Sequence, residues 1–204
     1  MSKPIDTVVF DIGNVLLDWD RRYLYRKLIA DEAEMEAFLR DVCPMSWHGQ
    51  QDAGRSCAEA ISDRIALFPQ YENLIRAHYE RWDETIGGPI EGSVALLHEL
   101  KRAGLRVYAL TNFPDELFLR AQHRYDFLWE FAGIVVSGRE RLIKPDPAIY
   151  RVLFERYAIQ PEAAIFIDDS LPNILTAQEL GMHTVHFLGA DKLRTSLREL
   201  RLPV

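Results

Sequence analysis

The sequence predicts an α/β fold: a parallel sheet with helices on both faces, interrupted near its start by a helical insertion. Three observations carry this. From residue 91 onward, short apolar, β-branched runs alternate with amphipathic helical stretches. The first such run, Thr7–Phe10, is followed by the next, Leu105–Leu110, only after about ninety residues, far beyond an ordinary crossover. Polar residues close these runs, at the strand ends where open α/β sheets place ligands.

Thr7-Val8-Val9-Phe10 has the composition of a strand covered on both faces, and it delivers Asp11 to the sheet edge. Gly13 and Asn14 then permit a tight turn. The insertion reads as four short helices. Arg21–Ala30 carries Tyr23, Leu24, Leu28 and Ile29, and Glu32–Val42, with Asp31 as its cap, carries Met35, Phe38 and Leu39. A third helix follows Ser56, and Tyr71, Leu74, Ile75, Tyr79 and Trp82 mark a fourth. Trp47–Gly54 reads as a loop between two of them, and Gly87-Gly88-Pro89 as a hinge that closes the insertion. The α/β part then runs in order: a helix over Glu91–Ala103 stopped by Gly104, the strand to Leu110 with Thr111-Asn112 after it, and a helix over Glu116–Arg124. A strand over Gly133–Ser137, a helix over Asp146–Tyr157, a strand over Ala164–Ile167 ending in Asp168-Asp169, a helix over Leu171–Leu180, a strand over Thr184–Phe187 and a last helix over Asp191–Leu200 complete it. The boundaries are residues 1–16 and 91–204 for the α/β core and 17–90 for the helical part.

The chain has 204 residues, of which 48% are hydrophobic and 27% charged, the composition of an ordinary globular protein. A net charge of −7 argues against a nucleic-acid binder, whose target needs a basic surface. Cys43 and Cys57 have no metal-ligand spacing and read as reduced thiols of a cytoplasmic protein. No apolar run is long enough to span a membrane, and oligomeric state is not legible.

Asp11, Thr111 and Asp168-Asp169 each end a strand, and Lys144 lies in the loop after another. One carboxylate at such an edge is ordinary; several, with a hydroxyl and a lysine, make a site. Crowded carboxylates invite a hard divalent cation with oxygen ligands, and Mg²⁺ typically also takes a substrate phosphate. A carboxylate can itself attack phosphorus. A lysine balances charge, and a threonine hydroxyl can donate to a phosphate oxygen.

Phe10-Asp11-Ile12-Gly13-Asn14-Val15, Leu110-Thr111-Asn112, Lys144-Pro145 and Ile167-Asp168-Asp169 match, in order, the motifs of the haloacid dehalogenase-like hydrolase superfamily, which this chain resembles over nearly its whole length. The wording is similar to the branch of sugar-phosphate phosphatases and the N-terminal phosphatase domain of soluble epoxide hydrolase. The resemblance implies a Rossmann-like three-layer α/β/α core, a sheet ordered 5-4-1-2-3 and a helical cap inserted after the first strand. It implies Mg²⁺ as cofactor and a small phosphorylated substrate. Asp11 would be nucleophile and metal ligand, the Gly13 carbonyl a second ligand and Asp169 a direct ligand, with Asp168 on metal-bound water. Thr111 and the Asn112 N–H would bind phosphate, Lys144 would bind phosphate and hold Asp11 ionised, and Asn173 would support the site. Trp47 and His48 would contact substrate.

One position departs. Phosphatases of this superfamily usually carry a second aspartate two residues after the nucleophile, and here Gly13 stands there. General acid–base catalysis of this kind is worth ~10²–10⁴-fold. Three readings stay open: a phosphatase with another proton donor or a good leaving group, a metal-independent 2-haloacid dehalogenase, and a binding or regulatory protein on the same fold. Asp18 and Asp20 are candidate substitutes, though solvated loop charges explain them better.

Overall fold

The computed structural model describes residues 4–204. In chain order the strands are β1 (Thr7–Phe10), β2 (Leu17–Trp19), β3 (Ile86–Pro89), β4 (Arg106–Thr111), β5 (Gly133–Val136), β6 (Ala164–Asp168) and β7 (His183–His186). The helices are α1 (Arg22–Tyr25), α2 (Glu32–Ala37), α3 (Met45–Asp52), α4 (Cys57–Leu67), α5 (Glu72–Glu80), α6 (Glu91–Arg102), α7 (Asp115–Arg124), α8 (Ser137–Glu140), α9 (Pro147–Tyr157), α10 (Leu171–Glu179) and α11 (Ala190–Glu199). None is long and apolar enough to cross a membrane among the described residues.

Five strands pair in parallel in the order β5-β4-β1-β6-β7. Counting only these strands, the order read from β7 is 5-4-1-2-3. β1 is central and wholly buried, which explains why its residues do not alternate with polar ones. The alternation of side chains builds the layers. Val8 and Phe10 face one core with Leu97, Leu117 and Leu197 of α6, α7 and α11, while Val9 faces the other with Leu153 of α9 and Ile174 of α10. The first core continues without a break into Tyr25, Met35 and Ile75 of the inserted helices.

The local signals read from sequence have visible causes. Asp31 accepts from the Glu34 N–H at 2.8 Å. Ser56 and Glu59 form a reciprocal capping box at the start of α4. Asp146 caps α9 through the Ala148 N–H.

Three expectations are corrected. The helix expected over Arg21–Ala30 is regular only over Arg22–Tyr25, because Lys27 and Leu28 bond carbonyls three residues back, and the chain continues as turns. Residues 86–89, expected as an irregular Gly-Gly-Pro connection, form a strand: β3 pairs antiparallel with β2 in a two-stranded ribbon. Gly88 in this strand holds φ +136°, a conformation that favours glycine, while a Cβ on Gly87 would meet the end of the Asp18 side chain, 2.5 Å from Oδ2. And Trp47–Gly54 is mostly helix, α3, whose His48, Gln51 and Asp52 give no apolar stripe by which to recognise it.

Candidate active site

Register brings the strand ends together. Phe10 lies opposite Ala109 on one side and Ile167 on the other, so the next residue, Asp11, falls beside Leu110 and Asp168. Lys144 closes the gap. Its Nζ donates to the Leu110 carbonyl at 2.9 Å and to Asp168 Oδ2 at 2.7 Å, and it lies 2.9 Å from Asp11 Oδ1. An ammonium has three protons, and here three oxygens face it. A phosphate oxygen at Lys144 would therefore have to share or displace one of these contacts.

Asp168 is fully buried and accepts from Lys144, from the Ser170 N–H at 2.8 Å and from Asn173 Nδ2 at 3.0 and 3.1 Å. Its oxygens are thus committed inward, and Asn173 orients it. Asp11, 8% exposed, also accepts from the Ile12 N–H at 2.7 Å. Burial raises the Asp11 carboxyl above the usual carboxylate range, with Lys144 opposing the rise and Asp168 adding to it. Lys144 is held above its ordinary value: burial lowers it, but Asp11 and Asp168 more than compensate. Burial and the Asp168 charge also raise Asp169, which is exposed beside them.

The segment after β4 is clamped to the lysine loop. Asn112 Nδ2 donates to the Lys144 carbonyl at 3.0 Å, and Asn112 Oδ1 accepts from the Lys144 N–H at 2.8 Å. Ser137 Oγ accepts from the Phe113 N–H at 2.9 Å. Gly138 packs on the same segment: an added Cβ would lie 2.7 Å from the Asp115 nitrogen and 2.8 Å from the Phe113 carbonyl oxygen. These are backbone atoms, so Gly138→Ala should displace the segment and cost about 1–3 kcal/mol, read as a lower Tm.

Two features call for a ligand. Oxygens of Asp11, Asp168 and Asp169 all lie within 4.8 Å of one another, and with Asp168 spent on Lys144, Ser170 and Asn173, Asp11 and Asp169 are the hard donors left for a divalent cation. The Thr111 hydroxyl is buried and has no hydrogen-bond partner. Asp11, Gly13, Asn112, Lys144, Asp169 and Asn173 share one cavity of about 470 Å³ with apolar side chains above them, Trp19, Met45, Trp82, Ile86 and Phe113 among these.

The sequence model of the haloacid dehalogenase-like hydrolases matches residues 5–181. The chain belongs to this family. Among its relatives, the sesquiterpene phosphatase astK of Aspergillus oryzae is 29% identical over 98% of this chain and 98% of that protein. Bifunctional epoxide hydrolase 2 of Sus scrofa is 31% identical over 50% of this chain and 18% of its own length. The chain spans less than half of several other relatives. A HAD family enzyme of Bacteroides thetaiotaomicron, solved with magnesium and inorganic phosphate, superimposes with a TM-score of 0.68 at 27% identity, covering 89% of this chain and 93% of that one.

Within this family frame the structure brings Asp11, Gly13, Thr111, Asn112, Lys144, Asp168, Asp169 and Asn173 to one sheet edge. Of the two residues expected to contact substrate, His48 lines the cavity. Trp47 does not: it is buried against His78 and Tyr79 in the inserted helices. Asp18 accepts from the Tyr23 hydroxyl at 2.7 Å and Asp20 from the Arg22 N–H at 2.8 Å, so both serve local structure, and neither lines the cavity. Sequence reasoning missed Asp52, which does. Once 45–52 is read as a helix, the spacing of His48 and Asp52 puts them on one face, and that is the signal that would have found it.

Proposed function

We propose that this chain hydrolyses a small phosphate monoester with Mg²⁺, through phosphoryl transfer to Asp11, and that residues 17–90 act as its substrate-covering cap. One observation carries the reading: a buried lysine pairs the two carboxylates of adjacent strand ends, leaving a third carboxylate to face the cavity, with an unpartnered threonine hydroxyl at the same strand ends.

Asp11, Asp169 and the Gly13 carbonyl would hold the metal, which when bound neutralises the carboxylates and lowers the charge barrier to attack on a phosphoryl group. Asp168 acts through Lys144, which keeps Asp11 ionised and aimed. Thr111 and the Asn112 N–H take phosphoryl oxygens. Asp11 attacks phosphorus, the alcohol leaves, and water releases phosphate from the aspartyl group.

The apolar walls above the edge favour a monoester whose organic part carries alkyl, isoprenoid or aromatic surface over a bare sugar phosphate. The relative named as a sesquiterpene phosphatase agrees with that. The carboxylate set at metal-ligand spacing speaks for phosphoryl transfer against metal-independent dehalogenation.

Phosphate release should be assayed on isoprenoid, aryl, sugar and nucleotide monophosphates, with Mg²⁺ and with EDTA, beside halide release from 2-haloacids. Mg²⁺-dependent phosphate release is expected. Metal-independent halide release, or no turnover on either panel, would overturn the reading. A second expectation follows from mass action: Mg²⁺ at 100 times its Kd raises stability by about 2.7 kcal/mol, and phosphate added on top raises Tm again. An unchanged Tm with saturating Mg²⁺ would remove the metal from the account.

A further inference from the structure

Gly13 leaves the chemistry without its usual proton donor, and the inserted helices bring another acid to the same cavity. Asp52 ends α3 and lines the cavity shared with Asp11 and Lys144. Its Oδ1 is sealed from solvent and has no hydrogen-bond partner. The side chain keeps 14% exposure, which therefore lies on its other atoms. Oδ1 faces His48 Nε2 at 3.8 Å.

The protons behind this contact are ordered by a buried chain. In the tautomer set in which the Tyr25 hydroxyl donates to the Leu74 carbonyl at 3.1 Å, it accepts from His78 Nδ1 at 3.2 Å. His78 Nε2 is then an acceptor and takes the proton of His48 Nδ1 at 3.2 Å. That leaves His48 Nε2 with its lone pair toward Asp52. A carboxylate oxygen facing a lone pair is repelled; a carboxylic acid is not. Burial lowers His48 to about 4 and holds His78 well below the ordinary imidazole value, so both stay neutral. Burial pushes Asp52 up to about 7, with Lys144 opposing. The other titratable groups around Asp52 are Cys57 and Tyr79, both raised by burial, and Arg21 lies behind His48.

We propose that Asp52, kept protonated by the His48–His78–Tyr25 chain, is the acid that Gly13 no longer supplies, reaching the reaction from the inserted helices. The inference rests on the phosphatase reading. As Asp11 bonds to phosphorus and the ester P–O bond breaks, the Asp52 proton passes to the departing oxygen, which leaves as an alcohol. The Asp52 carboxylate then takes a proton from the water that attacks the phosphorus. That step breaks the phosphorus bond to Asp11, releases phosphate and restores the acid.

The test compares wild type, Asp52→Asn and Gly13→Asp/Asp52→Asn with Mg²⁺, on an alkyl phosphate and on p-nitrophenyl phosphate. Leaving-group release is followed in the first turnover. Asp52→Asn should slow alkyl release by ~10²–10⁴-fold and leave p-nitrophenol release nearly unchanged, because an acidic phenol needs no proton. The wild-type kcat/KM for the alkyl ester should fall on the alkaline side as Asp52 ionises, and Asp52→Asn should lose that limb. Nothing lies within 4 Å of a Cβ added at Gly13, so the backbone there accepts a side chain and Gly13→Asp should restore alkyl turnover. An Mg²⁺-induced rise in Tm shows that each variant keeps a folded site. Equal loss on both esters, or no loss, overturns Asp52 as the acid while the phosphatase reading stands. No wild-type turnover overturns both.

Discussion

Asp11→Asn should remove turnover by ~10⁴-fold or more while the protein stays folded. An amide has the shape of the carboxylate, and its oxygen can still accept from the Ile12 N–H. It is, however, no nucleophile, and it loses the charge that pairs with Lys144. Removing one of three clustered carboxylates also relieves their repulsion, so the metal-free variant should melt no lower than wild type. The same change should cut the stabilisation by Mg²⁺. Phosphate release and melting with and without Mg²⁺ check both arms. A variant that keeps wild-type turnover would exclude Asp11 as nucleophile, and one that unfolds would make the site structural.

Lys144→Met should produce the second large effect, this time on stability. Methionine has similar length and no charge, so the side-chain volume survives but Asp11 and Asp168 face one another without a cation. Breaking a buried pair in this way costs about 3–5 kcal/mol. For a chain of this size that is a fall in Tm of ~6–20 °C. The pH dependence has a definite sign. In wild type the raised Lys144 contributes stability below its unfolded value and loses it only as pH rises through the folded one, so neutral pH retains it. In the variant a carboxyl raised by its neighbour is stable while protonated and loses that stability as pH rises. The deficit should therefore be larger at pH 8 than at pH 5, and Mg²⁺ should recover part of it. A small deficit equal at both values would contradict this account of the lysine.

The sheet and its edge were legible because their signals are local. Buried parallel strands are continuous apolar runs, and the polar residue that ends each one marks the same edge, so Asp11, Thr111, Lys144 and Asp168-Asp169 could be grouped before their distances were known. What the residues do to each other was not legible. That Lys144 faces three oxygens, and that Asp168 is spent on Lys144, Ser170 and Asn173, depends on packing. The inserted part was harder still. Its β2–β3 ribbon is only three and four residues long, and Gly87-Gly88-Pro89 reads as a break rather than as a strand. α3 lacks an apolar face because two of its polar side chains, His48 and Asp52, turn into the cavity. A helix face turned into the cavity thus looked like a loop, and Asp52 escaped notice.

The central claim is a phosphoryl group carried on Asp11. The most direct test is acid quench during turnover of a monoester labelled in its phosphoryl group, with Mg²⁺, followed by peptide mapping. The account predicts label on the peptide containing Asp11, absent with EDTA and absent from Asp11→Asn. Turnover without label on that peptide, or label that persists in Asp11→Asn, would contradict it.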